Sequence, residues 1–445
     1  MINKNEIKIL SQGLEKLESG FADLPEFTPE FDPVELGRVI DEVALRMQDN
    51  YPYFHPQYAG QMLKPPHPIA RIAYAMSLWV NPNNHALDGG RASSAMEKEC
   101  VVELAAMFGW QDTLGHLTGG GTMANLEALW VAGKLHPGKR IIGSEQAHYT
   151  HSRISDVLGI PYSPVSVTND GRMDVEDIES QLRQGDVGTV VVTMGNTGLG
   201  AVDPLSEILK LRDRYDFRIH ADAAYGGYFV LASELESATM RAYADMDGVD
   251  SIVIDPHKHG LQPYGCGCIL FKDSSVGKIY KHDSPYTYFS SAELHLGEIS
   301  LECSRPGAAA VALWATQRLM PLEKNGEFSA GLDSCLNAAQ DFYARLERSE
   351  NFTPLMSPEL DIVVYAVNAP TTKTSSERAR NLFERAASQG LHLALIELPL
   401  SLAEHWLPDM DADSETITCL RSVLMKPEHE QWSKRIVELL EAAVG

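Results

Sequence analysis

The sequence predicts an α/β fold with a mainly parallel central sheet, and three observations carry that prediction. From His116 to Lys272, short apolar runs alternate with amphipathic helical stretches, the order that builds strand–crossover–strand units. One apolar run ends on Asp222 and another, roughly 36 residues later, on Lys258, a spacing that suits neighbouring parallel strands. Earlier, the triplet Gly119-Gly120-Gly121 leads from a short strand into a strongly periodic helix.

Taken in order, residues 1 to about 50 read as two amphipathic helices broken between Pro25 and Pro33. The second, Pro33 to Gln48, carries apolar Val34, Leu36, Val39, Ile40, Val43 and Leu45. An isolated helical arm of this kind needs a partner, and a second subunit is expected. Asn50 to Ala70 is rich in proline and aromatics and should be irregular but ordered. Its Tyr53, Phe54, His55 and Tyr58 either line a pocket or cover the core. A helix from Ile69 to Trp79 leads into the turn-rich segment Asn81 to Glu99. The next helix, Ala95 to Phe108, puts Met96, Cys100, Leu104 and Met107 on one face toward the core.

Strand and helix then alternate. The glycine turn opens the helix through Leu126, Leu129 and Trp130; His148 stands where the strand at Ile141 meets a helix; the run Gly188 to Met194 precedes GNTGLGAVDP and a helix from Leu205 to Tyr215. RIHADAAYGGYF delivers Asp222 and then small residues, over which a flat group can approach the backbone. SIVIDPHKHG ends a buried strand on Asp255, Pro256, His257 and Lys258. Asp283 to Leu296 reads as a loop able to close over a site, with Tyr286 and Tyr288 as candidate proton donors. Helices Pro306 to Met320 and Phe328 to Arg348 lead to strands at Asp361 to Val367, Leu391 to Glu397 and Thr416 to Leu424, and helices at Ser375 to Gln389 and Glu428 to Ala443. The expected division is a helical arm and irregular pocket segment at 1–70, a large domain at 71–325 and a small carboxyl-terminal α/β domain at 326–445.

With 37 Lys plus Arg against 61 Asp plus Glu, the net charge of −24 argues against nucleic acid and anionic membrane as partners. The amino terminus lacks the apolar core of a secretory signal, and no run reaches the length of a membrane span. The six cysteines are scattered, and Cys266 and Cys268 are too close for the usual zinc or redox spacing, so no metal is expected. They read as reduced thiols of a cytoplasmic protein.

A carboxylate after one strand and a lysine after another are what a pyridoxal phosphate site requires. The amine condenses with the cofactor aldehyde, and the carboxylate keeps the pyridine nitrogen protonated. Parallel strands bring both groups to the carboxyl edge of the sheet, where open α/β sheets bind ligands. The glycine turn presents free N–H groups and the positive end of a helix to a phosphate, with the Thr122 hydroxyl beside them. Each feature alone has a plainer reading, as a strand-end charge or a capped helix; together they point to one site.

With these parts in order, the sequence resembles the group II pyridoxal phosphate-dependent amino-acid decarboxylases, which include glutamate, aromatic amino-acid and bacterial tyrosine decarboxylases. The likeness runs from about Tyr51 to Arg305 and is most specific in FHPQYAGQML, HADAAYGG and IDPHK; HLTGGGTMANLEALWVA is most similar to bacterial tyrosine decarboxylases. It implies the fold-type I architecture of pyridoxal phosphate-dependent transferases, with a seven-stranded type of sheet, and a homodimer with its active site at the subunit interface. It further implies that Lys258 holds the cofactor, Asp222 pairs with the ring nitrogen, His148 stacks on the ring and Ala224 supports the other face. Gly120, Gly121 and Thr122 would bind phosphate with help from His257, Asp255 would line the cofactor site, and Thr197 would approach the ring hydroxyl. Tyr288 is preferred to Tyr286 as proton donor. Arg421 matches an arginine near the substrate carboxylate, and Phe54 and His55 are candidate substrate contacts.

Two departures stand out: His259 stands where the animal aromatic decarboxylases have tryptophan, and the chain is much shorter than the bacterial tyrosine enzymes. CSRPGA, Cys303 to Ala308, also resembles sphingosine phosphate lyase. The expected reaction is decarboxylation of an L-amino acid, an aromatic one slightly favoured over an acidic one. The alternatives are a retro-aldol lyase using the same Asp222 and Lys258, an aminotransferase, whose arginine context is not evident, and a non-catalytic protein retaining the fold.

Overall fold

The computed structural model describes residues 3–85, 89–281 and 299–444. The large sheet contains β1 (Leu114–Thr118), β2 (Arg140–Ser144), β3 (Tyr162–Val165), β4 (Val187–Thr193), β5 (Arg218–Asp222), β6 (Ser251–Ile254) and β7 (Gly267–Phe271). Their spatial order is β1-β7-β6-β5-β4-β2-β3. From β6 to β3 every pairing is parallel, while β7 runs antiparallel to both β6 and β1. Every residue of β4, β6 and β7 is buried, because helices cover both faces; such strands read as continuous apolar runs. One face packs Ala124, Ala128 and Val131 of the helix Gly121–Leu135 against Val253 and Ile269. The other packs Cys100, Val101 and Leu104 of the helix Arg91–Met107 in one core with Leu117, Ile252 and Leu270.

The expected face of that helix is corrected at its ends. Cys100 and Leu104 are buried, but Met96 and Met107 are only partly covered, and Glu97 occupies a core position. Its carboxylate is satisfied there by Arg305 Nη1 at 2.7 Å, Asn84 Nδ2 at 2.5 Å and Leu117 N at 2.9 Å. A buried charge with such partners can stand where an apolar side chain is expected.

The second sheet contains β8 (Phe352–Pro354), β9 (Ile362–Val367), β10 (Ala394–Pro399) and β11 (Thr416–Val423), all antiparallel, in the order β10-β11-β9-β8. The three-residue β8 is too short to show a period in sequence. Alternation along β9 divides its side chains: Val363, Tyr365 and Val367 meet the helices Glu327–Leu346, Thr372–Ser388 and His429–Val444, while Ile362, Val364 and Ala366 join the core of the large sheet. The two sheets therefore share a continuous core.

The irregular segment before Pro68 is bound along the second sheet, with Ala59 N donating to His392 O and Val423 N to Ala59 O, each at 2.9 Å. Tyr51, Tyr53 and Tyr58 cluster there with His392, so Tyr58 covers the core. In the amino-terminal arm, the helix Lys4–Ser19 is tied to the helix Pro68–Ser77 by an Arg71–Glu6 ion pair of 2.8 Å. The helix Pro33–Met47, capped by Asp32 with Pro33 in its first turn, buries none of its residues, and Val34, Leu36, Val39, Ile40, Val43 and Leu45 are all exposed. Among the described residues, no helix is long and apolar enough to cross a membrane.

A polar joint crosses between the sheets. Asp361, fully buried beside β9, accepts from the Tyr225 hydroxyl and lies 3.1 Å from His259 Nε2. Burial alone would raise its carboxyl pKa; the proximity of His259 and the hydrogen bond from Tyr225 outweigh it and hold the group below its ordinary value. Asp361→Ala, which leaves the Tyr225 hydroxyl without its acceptor, should lower stability at pH 7 by about 1–3 kcal/mol, measured by urea unfolding. Because the folded-state pKa is depressed, this contribution is complete above the ordinary value of 3.8 and is lost as pH falls through the lowered one, so wild type and variant should converge in acid.

Candidate active site

The parallel strands deliver their carboxyl ends to one edge, where Thr193 of β4 is level with Asp222 of β5, and Asp222 with Val253 of β6. A cavity of about 520 Å³ opens there, lined by the glycine turn after β1, His148 after β2, Thr193 and Thr197 at β4, Asp222 and Ala224 at β5, and Asp255, His257 and Lys258 after β6.

The glycine turn is shaped by close approach. Gly120 has φ of 151°, a value side-chain-bearing residues rarely adopt, and a Cβ there would meet His257 Cε1 at 3.4 Å. A Cβ on Gly121 would stand 2.7 Å from Asp255 Oδ2. The Gly119 N–H is used by Glu302 Oε2 at 2.7 Å and the Gly120 N–H by Thr118 Oγ1 at 3.3 Å, which leaves the N–H groups of Gly121 and Thr122, at the start of the helix Gly121–Leu135, able to meet an anion.

The turn after β6 carries Lys258, whose Nζ is 3.3 Å from Asp255 Oδ2, while its N–H donates to Asp255 O at 2.9 Å. Asp255 Oδ1 and His257 Nδ1 are buried without a hydrogen-bond partner among the described residues. Burial lowers the His257 pKa, with Lys258 adding to the effect and Asp255 opposing it.

Asp222 is the most elaborately held group. Its Oδ1 accepts from Ala224 N at 3.1 Å; its Oδ2 faces His151 Nε2 at 2.7 Å and Asn125 Nδ2 at 3.3 Å. Burial would raise the carboxyl pKa, but the hydrogen bond from His151, with the Lys258 amine nearby, reverses the shift and keeps the group ionised below the usual aspartate range. Neither His151 nor Asn125 was anticipated from the sequence. The available signals were His151 standing three residues after His148 and Asn125 one helical turn beyond Gly121.

His148 sits just before the helix Thr150–Leu158, its Nδ1 engaged by the hydroxyl and N–H of Thr150. Burial lowers its pKa, assisted by Lys258 and opposed by Asp222, which favours the neutral ring. Ala224 lines the same cavity without a polar side chain.

Three candidates lie elsewhere within the chain. Phe54 lines a second cavity of about 320 Å³ with Lys64, His259 and Lys426, and His55 packs edge-on against Trp432 at 5.0 Å. Both belong to the segment bound along the second sheet, which carries them away from the strand edge. Arg421, on β11 and buried, is not in the cavity lining; its Nε donates to Gly198 O at 3.2 Å, beside Thr197, and its Nη2 has no partner among the described residues. Tyr286 and Tyr288 lie outside the described residues. His259, the noted departure from tryptophan, is the Asp361 partner in the polar joint between the sheets.

The residues fit pyridoxal phosphate. An ionised buried carboxylate, an amine, a cradle that a Cβ would fill and unpartnered buried polar atoms converge on one cavity.

Residues 52–368 match the pyridoxal-dependent decarboxylase conserved domain. The chain is 30% identical to a probable L-tyrosine/L-aspartate decarboxylase of Methanothrix thermoacetophila, over 78% of this chain and 84% of that protein. It is 27% identical to the L-tyrosine decarboxylase of Enterococcus faecium, over 78% and 75%. Among solved structures it resembles mouse CSAD, with a TM-score of 0.79 at 19% identity over 98% of both chains. Oryza sativa TDC with PLP and tryptamine gives a TM-score of 0.79 at 17% identity over 100% of this chain and 99% of that one.

Gly121→Ala tests the cradle. The added methyl displaces Asp255 and crowds the helix start, so affinity for pyridoxal phosphate should fall about tenfold or more in a fluorescence titration, with the circular dichroism spectrum unchanged.

Proposed function

The chain belongs to the pyridoxal-dependent decarboxylase family, and on that premise we propose that it removes the carboxylate of an aromatic L-amino acid of the tyrosine kind, using Lys258, Asp222 and His148. Its reaction is pyridoxal phosphate-dependent decarboxylation of an amino acid. The observation that carries the residue assignment is the convergence of Lys258, Asp222 and the glycine-entered helix on one cavity.

When bound, pyridoxal phosphate supplies the electron sink that accepts the bonding pair as the carboxylate leaves. Lys258 would hold its aldehyde end, with Asp255 keeping the amine at the cavity wall. Asp222, held ionised, would keep the ring nitrogen protonated. His148 and Ala224 would flank the ring, and Thr197 would approach its hydroxyl. Gly120, Gly121, Thr122 and His257 would hold the phosphate, the first by giving the helix start its open shape. Tyr288 is the proposed proton donor to the substrate carbon. Arg421 remains the candidate for the substrate carboxylate, supported by its unpartnered Nη2.

The aromatic preference is supported by relatives named for tyrosine; those named for both tyrosine and aspartate make the acidic substrate the second reading. Residues 1–70 are proposed as an arm, 71–325 as the cofactor-binding domain and 326–445 as the small domain. The uncovered apolar face of the helix Pro33–Met47 supports a homodimer with its active site at the subunit interface. Phe54 and His55, away from their own chain's cavity, would reach substrate only from a second subunit. A cytoplasmic location is supported by six free thiols, five of them buried.

Absorption spectra and carbon dioxide release test the reading. Wild type with pyridoxal phosphate should show a band near the visible edge and evolve gas most rapidly from L-tyrosine in a panel with L-phenylalanine, L-tryptophan, L-glutamate and L-aspartate. Lys258→Ala should lose both the band and the gas; retention of the band would remove Lys258 from its role. Val39→Asp with Val43→Asp should convert a sedimenting dimer to monomer.

A further inference from the structure

Behind Asp222 lies a buried polar chain that the proposed reaction does not itself use. Asn125 donates its Nδ2 to Asp222 Oδ2, so its Oδ1 is free to accept, and His220 Nε2 lies 2.8 Å from it. His220 must therefore carry its proton on Nε2, and its Nδ1 accepts from the Ser251 hydroxyl at 2.9 Å. Burial, with His151 nearby, depresses the His220 pKa to about 3, so the ring is neutral and this arm supplies dipoles rather than a charge.

The other arm is one residue long. His151, fully buried on the helix Thr150–Leu158, places Nε2 2.7 Å from Asp222 Oδ2, and its Nδ1 has no partner among the described residues. A carboxylate only accepts, so the His151 proton resides on Nε2. Among the donors to Asp222 this contact is shorter than those from Asn125 at 3.3 Å and Ala224 at 3.1 Å. Buried hydrogen bonds to a charged acceptor are the strong ones. They also fix the plane of the carboxylate, since Oδ1 is tied to the backbone and Oδ2 to the imidazole.

We infer that His151 is a positioning residue of the cofactor site, which fixes the orientation and charge of Asp222 so that this carboxylate selects a ligand bearing a protonated ring nitrogen. The inference rests on the reading of Asp222 as the ring-nitrogen partner. His151 itself touches neither cofactor nor substrate in this role; its effect passes through Asp222 Oδ2.

The test compares binding of pyridoxal phosphate with that of its 1-deaza analogue, which has carbon in place of the ring nitrogen, to the apoprotein. Wild type should prefer pyridoxal phosphate. In His151→Met, which fills the volume without a donor, that preference should fall about tenfold or more; in His151→Gln, which keeps an N–H donor, most of it should return. Equal weakening of both ligands by His151→Met would mean a merely structural role and would overturn the inference. Asp222→Asn separates the two claims: if it leaves the preference intact, the reading of Asp222 fails; if it removes the preference and His151→Met does not, only the inference fails. If His151→Met does not fold, the wild-type protein labelled with ¹⁵N-histidine decides. A histidine protonated on Nε2 should shift with pyridoxal phosphate and not with the deaza analogue, and identical spectra with both ligands would refute the role.

Discussion

A carboxylate that stays charged while almost wholly buried is the constraint on which this site depends. Asp222 has little access to water, and burial by itself would neutralise it. The protein answers with donors on both oxygens and with Lys258 across the cavity. Those donors come from three places: the backbone at Ala224, the helix that begins at Gly121, and the helix that follows His148. The position of two helices relative to β5 is thus tied to the charge on one side chain.

The parallel sheet explains why so many groups of different sequence origin meet. Each parallel strand ends on the same edge, so a residue just after β2, β4, β5 or β6 faces the same space whatever its distance along the chain. The antiparallel β7 has a different task. Lying between β1 and β6, it brings Gly267 so close to Gly120 that a Cβ on Gly267 would fall 2.5 Å from the Gly120 carbonyl carbon. Glycine there lets the glycine turn after β1 and the turn carrying Lys258 stand side by side.

The second sheet is coupled to this edge through buried polar contacts as well as through apolar packing. Tyr225, three residues beyond Asp222, reaches Asp361; His259, next to Lys258, reaches the same carboxylate; Arg421 holds the carbonyl of Gly198 beside Thr197. Three cavity-forming turns are therefore braced from the small sheet. Displacing that sheet would disturb the turns that carry Asp222, Lys258 and Thr197.

Much of this was legible in the chain itself. Alternation of apolar runs with periodic helices determined the parallel sheet, and strand ends carrying Asp222 and Lys258, with a glycine turn, determined the cofactor chemistry, because those signals are local and each has a physical cause within a few residues. The face of a helix that carries Glu97, the three-residue β8 and the antiparallel course of β7 were not, since burial and strand direction are set by distant partners such as Arg305. Tertiary structure alone decided that His151 and Asn125 share the Asp222 carboxylate, that His259 serves Asp361, and that Phe54 and His55 lie away from their own chain's cavity. Such contacts join residues far apart in the chain, and only the folded packing fixes which buried polar groups must satisfy one another.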